Sequence, residues 1–201
     1  MFEENLQKHS LNYHDFEKLR QDGCIYVDKT DQILEIAKLY YTSFFLRPRL
    51  TGKTLLLSTL KSLFEHGVEY FKGLKIEKLW DEETYPVLSL DFSKFDCDNS
   101  KNFSNQIRDG VIEFIKSHNL DIEYEEDENF EGVLFDLLYK DKARRIVLLV
   151  DDYDALLIKN LKNFELYDEY QRILETFFIK TKAFSTKFRL VFITGRFKYN
   201  N

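Results

Sequence analysis

Ser43-Phe44-Phe45-Leu46-Arg47-Pro48-Arg49-Leu50-Thr51-Gly52-Lys53-Thr54-Leu55-Leu56-Leu57 is the stretch on which the reading of this chain turns. Residues 43–46 are an apolar run suited to a short buried strand, and an Arg-Pro-Arg turn follows. Leu55, Leu56, Leu57, Leu60, Leu63 and Phe64 then make a strongly apolar helix, for which Gly67 provides a natural end. Strand, loop and helix in that order are what a phosphate-binding loop requires. Backbone N–H groups at the helix N-terminus point at the anion, a lysine reaches the β- and γ-phosphates, and a hydroxyl holds Mg2+. The pattern GxxxxGK[ST] is met at Gly52, Lys53 and Thr54, with Arg47 in the place of its first glycine. The candidate cofactor loop is therefore Arg47, Pro48, Arg49, Leu50, Thr51, Gly52, Lys53, Thr54 and Leu55, and its expected ligand is a chain of phosphates with Mg2+. A loop with a merely solvated lysine is the bland alternative, and the flanking strand and helix weigh against it.

Working outward, residues 86–92 (PVLSLDF) read as a second strand, with Pro86 at its start, where proline is tolerated. A helix is expected over 103–117, with Ile107, Val111, Phe114 and Ile115 on one face. The acidic run at 121–131 reads as a solvated insertion, and a further helix follows at 130–142. Ile146-Val147-Leu148-Leu149-Val150 is continuous rather than alternating, as a strand buried on both faces of a parallel sheet must be. A long helix over 166–183 precedes a last strand at 188–193, which ends on Thr194-Gly195. Upstream, a short apolar patch at 25–27 leads to Thr30, expected to N-cap a helix through Ile33, Leu34, Ile36 and Ala37. Alternating strands and helices argue for an α/β fold with a mainly parallel sheet.

The second constellation is Asp151-Asp152-Tyr153-Asp154, delivered by the apolar run before it. A carboxylate at the carboxyl edge of a buried strand is the Walker B arrangement, so Asp151 is expected to share Mg2+ with Thr54. Its neighbour Asp152 is placed to orient and deprotonate an attacking water. Thr194, at the end of the last strand, is a candidate sensor of the γ-phosphate or that water. Ligands of open parallel sheets bind beyond the carboxyl ends of the strands, where all these residues fall. The catalytic set expected is thus Lys53, Asp152 and Thr194.

Composition narrows the alternatives. With 201 residues, 44% hydrophobic and 16% aromatic, the chain has ample material for a core and is not a disordered segment. A net charge of −6 gives no support for a surface that coats nucleic acid as a whole. No apolar run approaches the ~20 residues of a membrane helix, and the first ten residues lack the basic start and apolar stretch of a secretory signal. A cytoplasmic protein without a membrane partner is expected. Cys24 and Cys97 belong to no metal-ligand pattern and read as reduced, partly buried thiols; His9, His14, His66 and His118 are scattered.

Taken together these motifs resemble the bacterial AAA-ATPase-like proteins, whose ATPase domain often precedes a PD-(D/E)xK nuclease-like domain. The resemblance runs over nearly the whole chain. It is carried by Asp15-Phe16-Glu17-Lys18-Leu19-Arg20, Tyr26-Val27-Asp28-Lys29-Thr30, Phe45-Leu46-Arg47-Pro48-Arg49 with Gly52-Lys53, Tyr70-Phe71-Lys72-Gly73-Leu74, Tyr85-Pro86-Val87, Leu90-Asp91-Phe92, Asp151 with Tyr153-Asp154, and Thr194-Gly195 with Lys198. In that family, too, RPR stands where the first P-loop glycine would be. The resemblance implies a P-loop NTPase three-layer sandwich of the additional-strand, AAA-like type. The strand at 188–193 is then expected between those at 43–46 and 146–150, with 86–92 beyond. It also implies one domain over 1–201: an N-terminal nucleotide-side segment at 1–42, an ATPase core at 43–195 and a truncated end at 196–201. Tyr26, Val27, Asp28 and Lys29 are implied to approach the adenine side.

The implied function is Mg2+-dependent binding and hydrolysis of ATP, slow if at all impaired, as the motor or switch part of a larger protein. A nucleotide-binding switch or a non-hydrolysing scaffold is the alternative. Implied partners are ATP and a further copy of the chain in a homo-oligomer, with nucleic acid reached only through a missing effector domain. Departures from the family pattern are informative. Asp152 stands where the family has Glu, one methylene longer, and Leu50-Thr51 replaces Arg-Phe. Arg196-Phe197 replaces two small or apolar residues, and Arg196 reads either as a charge stabiliser or as a surface residue. The chain stops soon after its last strand, so the expectation is that it is truncated and that nuclease activity does not carry over.

Overall fold

Ile146–Asp151 is buried at every position, and so is Phe188–Gly195. Two adjacent strands with no exposed side chain must lie inside a sheet covered on both faces, which the run of branched and aromatic residues satisfies. The computed structural model describes residues 13–39, 42–95, 98–125, 127–140 and 145–197. His9, Cys97 and Lys198 lie outside the described residues. The chain divides into two compact units, Met1–Leu39 with Leu50–Thr84 and Tyr40–Arg49 with Tyr85–Asn201.

The larger unit holds the sheet. Its strands are β1 (Thr42–Leu46), β2 (Val87–Asp91), β3 (Ile146–Asp151) and β4 (Phe188–Gly195), in the order β1-β4-β3-β2 and parallel throughout. This is the order expected of the additional-strand type, with β4 inserted between β1 and β3. In register, Leu46 faces Gly195 and Asp91 faces Asp151, so the carboxyl ends of the strands are level. One sheet face presents Leu88, Leu90, Leu148, Val150, Val191 and Ile193 to a single apolar core. The helices that complete this core carry apolar side chains at the 3–4 residue spacing: Phe103, Ile107, Val111 and Phe114 in Ser100–Ser117, and Tyr170, Leu174 and Phe177 in Phe164–Ala183. Phe130–Lys140 and Ala155–Lys159 add Leu134, Leu137, Leu156 and Leu157. Asn99 and Asn163 cap the two long helices through their side-chain oxygens. The acidic run at 121–131 is tied down at Ile122, which joins the core, while Asp121, Glu123, Glu125 and Asp127 remain exposed.

The smaller unit is helical. In chain order α1 is Phe16–Gln21, α2 is Thr30–Ala37 and α3 is Lys53–His66, with a 3-10 turn at Lys75–Lys78. Asp15 caps α1 by accepting from the Lys18 N–H, and Phe16, fully buried, packs on Tyr26 and Phe71. Burial raises the Tyr26 phenol above its ordinary pKa. Thr30 does not cap α2 as expected. Lys29 holds the cap position without a side-chain bond, and the Thr30 hydroxyl donates to Asp28 Oδ1 while accepting the N–H of Ile76. The hydroxyl is claimed by a segment 46 residues away, which outcompetes the local cap. Asp28 also accepts the N–H groups of Thr30 and Lys75. Burial alone would raise the Asp28 carboxyl pKa, yet these bonds outweigh it and hold the value below the ordinary range. Cys24 is buried and unpaired, in line with the reduced thiol expected.

Candidate functional site

The candidate residues fall in both units, and each group has its own local architecture. In the smaller unit Gly52, Lys53 and Thr54 open α3, a 14-residue helix. Helix geometry leaves the first-turn N–H groups without intrahelical carbonyls. Gly52 supplies no side-chain oxygen to cap them, and its φ of +82° is a backbone conformation glycine adopts at no steric cost. Leu50, at φ +61° and fully exposed, adopts a left-handed conformation unusual for a branched residue. Lys53 is buried, with 6% of its surface exposed. Thr54 and Leu55 are half-buried. The N-terminal end of α3 thus lies beside a buried lysine, with no capping side chain at Gly52.

In the larger unit β1, β3 and β4 deliver Arg47, Asp151 and Thr194 to the carboxyl edge of the sheet. Arg47, Pro48 and Arg49 are exposed there, and the Arg47 N–H donates to the carbonyl of Gly195 at 3.1 Å. The Arg47 guanidinium lies over the Phe45 ring. Asp151 is only 5% exposed. Its Oδ1 accepts the hydroxyl of Thr194 and the N–H of Asp152, the latter at 3.0 Å. The same N–H lies 3.2 Å from Thr194 Oγ1. Asp152 is half-buried and has φ +45°, so the turn that carries it is bent into the left-handed region. Asp151, Asp152 and Thr194 are therefore brought together as one hydrogen-bonded group.

Tyr153 and Asp154 extend that group in a way their local sequence did not reveal. The Tyr153 N–H donates to the Thr194 carbonyl at 2.9 Å, and its phenol donates to the Phe197 carbonyl at 2.7 Å. Asp154, 4% exposed, accepts the N–H groups of Arg196 and Phe197 at 2.8 and 2.9 Å. Gly195 permits this closeness, since a Cβ there would stand 2.4 Å from the Tyr153 ring. The only hint in the sequence was an acidic residue following the aromatic of a motif recognised by resemblance. On its other side Tyr153 lines an apolar cleft of about 430 Å³ with Phe44, Leu46, Leu157, Leu174 and Phe178.

Oxygen donors of this kind suit a hard cation such as Mg2+. Among the described residues no group of three or more His, Cys, Asp or Glu side chains is placed to hold a metal.

Comparison with known proteins concerns the chain as a whole. A family described as predicted AAA-ATPase matches residues 11–200. The chain is 28% identical over 198 residues to "Uncharacterized protein in vnfD 5'region" of Azotobacter chroococcum mcd 1. That match covers 96% of this chain but spans only 38% of the relative's length. No solved structure matches. No described helix is long and apolar enough to cross a membrane. With a family match over nearly its full length, the chain belongs to the AAA-ATPase-like family of predicted AAA-ATPases.

Proposed function

We propose that the chain binds ATP with Mg2+ and hydrolyses it to ADP and phosphate. The observation that carries this reading is the junction of Asp151, Asp152 and Thr194 at the carboxyl edge of an all-parallel sheet in the order β1-β4-β3-β2. In this reading the α3 N-terminus and Lys53 hold the phosphates, and Thr54 and Asp151 hold the metal. When bound, Mg2+ neutralises charge developing on the β- and γ-phosphoryl oxygens. A carboxylate oxygen of Asp151 has no proton to give, so the Thr194 hydroxyl must be the donor between them. Thr194 accordingly fixes Asp151 and, through the Asp152 N–H, the turn that aims the base. Asp152 accepts the proton of the attacking water. Its side chain is one methylene shorter than the Glu of the family pattern, and a misplacement of that order lowers a rate by ~10²-fold. Slow turnover is the expected regime.

The test is phosphate release with Mg–ATP by wild type, Lys53→Ala and Asp152→Asn. Release by wild type that both variants lose supports hydrolysis. Tight ATP binding without release would favour a nucleotide-binding switch instead.

A further inference from the structure

Gln171, Leu174, Glu175 and Phe178 recur in the helix Phe164–Ala183 at the 3–4 residue spacing that puts side chains on one face. Phe44 and Leu46, two apart in β1, share one face of the sheet. With Tyr153 and Leu157 these two sets enclose the cleft of about 430 Å³, and all of them belong to the larger unit. Small-molecule sites run from roughly 300 to 1,000 Å³, have mostly apolar walls and carry a few polar groups. The cleft meets that description.

Two features separate it from a gap in the packing. The first is aromatic. The rings of Phe44, Tyr153 and Phe178 stand pairwise 5.8, 5.9 and 6.0 Å apart, with planes at 77°, 65° and 72° to one another. Planes so nearly perpendicular leave no direction of approach far from the normal of one ring. The face of a ring is the negative end of its quadrupole and attracts a cation. Phe44 is 52% exposed, so this cluster is open to solvent. Tyr153 is fixed in place, because its N–H and its phenol donate to the carbonyls of Thr194 and Phe197. Its ring is therefore preorganised, and its hydroxyl is already engaged.

The second feature is a single charge. Glu175 is the one carboxylate that lines the cleft, and no lysine, arginine or histidine lines it. The Gln171 amide donates to Glu175 Oε1 at 3.1 Å, and no ion pair joins Glu175 to a cation among the described residues. An ionised carboxylate has about four acceptor positions, so one bond leaves most of its capacity unused. A negative charge among π faces and aliphatic walls is complementary to one kind of occupant.

We propose that the cleft binds a small organic cation, an ammonium group on an apolar body, with its charge set against Glu175 and the rings of Phe44, Tyr153 and Phe178. An organic anion would be repelled by Glu175, and a neutral body would cover the carboxylate without a partner for it. No nucleotide is needed for this binding.

Ligand-observed NMR titration of the full chain with phenethylammonium, phenethyl alcohol and hydrocinnamate tests it, since the three share one apolar body and differ in charge. The cation is expected to bind at least about tenfold tighter than the alcohol, and the anion most weakly. Glu175→Gln keeps the shape and is expected to cut the preference for the cation to about threefold or less, while the alcohol stays within about twofold of wild type. Phe44→Ala, at an exposed position, is expected to weaken the cation about fivefold with little change in melting temperature. Equal wild-type affinity for cation and alcohol, or a preference that survives Glu175→Gln, overturns the assignment to a cation. Binding of none of the three at millimolar concentration overturns the site. A dimer in sedimentation that Phe44→Asp dissociates would put a second copy of the chain over the cleft, and would overturn it too.

Discussion

The hydroxyl of Thr194, at the end of β4, donates to the buried Oδ1 of Asp151, at the end of β3. This one bond ties the ends of two neighbouring strands together at the carboxyl edge of the sheet. Thr194→Val keeps the shape but removes the donor, leaving a buried carboxylate short of a partner. A loss of about 1–3 kcal/mol in urea unfolding is expected. Thr194→Ser should recover most of it, since the hydroxyl returns. Equal stability of the Val variant and wild type would mean that the bond carries no weight.

Gly195 is required by contact rather than by backbone conformation. A Cβ would meet Tyr153 at 2.4 and 2.5 Å, and the ring is flanked by Phe44 and Phe178 with centroids 5.8 and 6.0 Å away. Gly195→Ala should therefore destabilise by about 1–3 kcal/mol, the usual cost of overpacking. Tyr153→Phe, which removes the phenol's bond to the Phe197 carbonyl, should cost about 0.5–1.5 kcal/mol. A Gly195→Ala protein with an unchanged urea midpoint would contradict the packing described.

Much of the larger unit was legible because β3 and β4 are buried on both faces, whereas β1, expected as a buried strand, lies at the sheet edge with Phe44 52% exposed. A continuous apolar run such as Ile146–Val150 has few alternatives, and its end on Asp151 announced the carboxylate. The strand order was implied by family resemblance, since no periodicity can show that β4 lies between β1 and β3. Short elements such as α1 and the helix at Ala155–Lys159 carry too few residues for a periodic signal. The missed interactions are the non-local ones. Thr30 reads as a cap until Ile76 claims its hydroxyl, and nothing near Asp154 shows that it grips a turn 42 and 43 residues later. The division into two units was equally hidden, because the chain passes from one to the other at 39/40, 49/50 and 84/85, and the second of these falls inside the Arg47–Leu55 stretch.

Asp28 supplies a pH signature. Its carboxyl pKa is lower in the folded chain than in the unfolded one, so its contribution to stability is complete above the ordinary carboxylate value. That contribution fades as pH falls below about 4 and through the lowered folded value. Unfolding free energy measured from pH 6 to pH 2 should drop more steeply for wild type than for Asp28→Asn over that interval. Parallel curves would show that the bonds from Thr30 and Lys75 do not favour the ionised form.

The proposed activity is Mg2+-dependent hydrolysis of ATP. Mg2+-dependent phosphate release from ATP, measured side by side for wild type and Lys53→Ala, tests it most directly. The predicted result is a slow wild-type rate that stops with EDTA and falls by ~10²-fold or more in the variant. A wild-type rate no higher than that of Lys53→Ala, at matched protein and Mg–ATP concentrations, would contradict it.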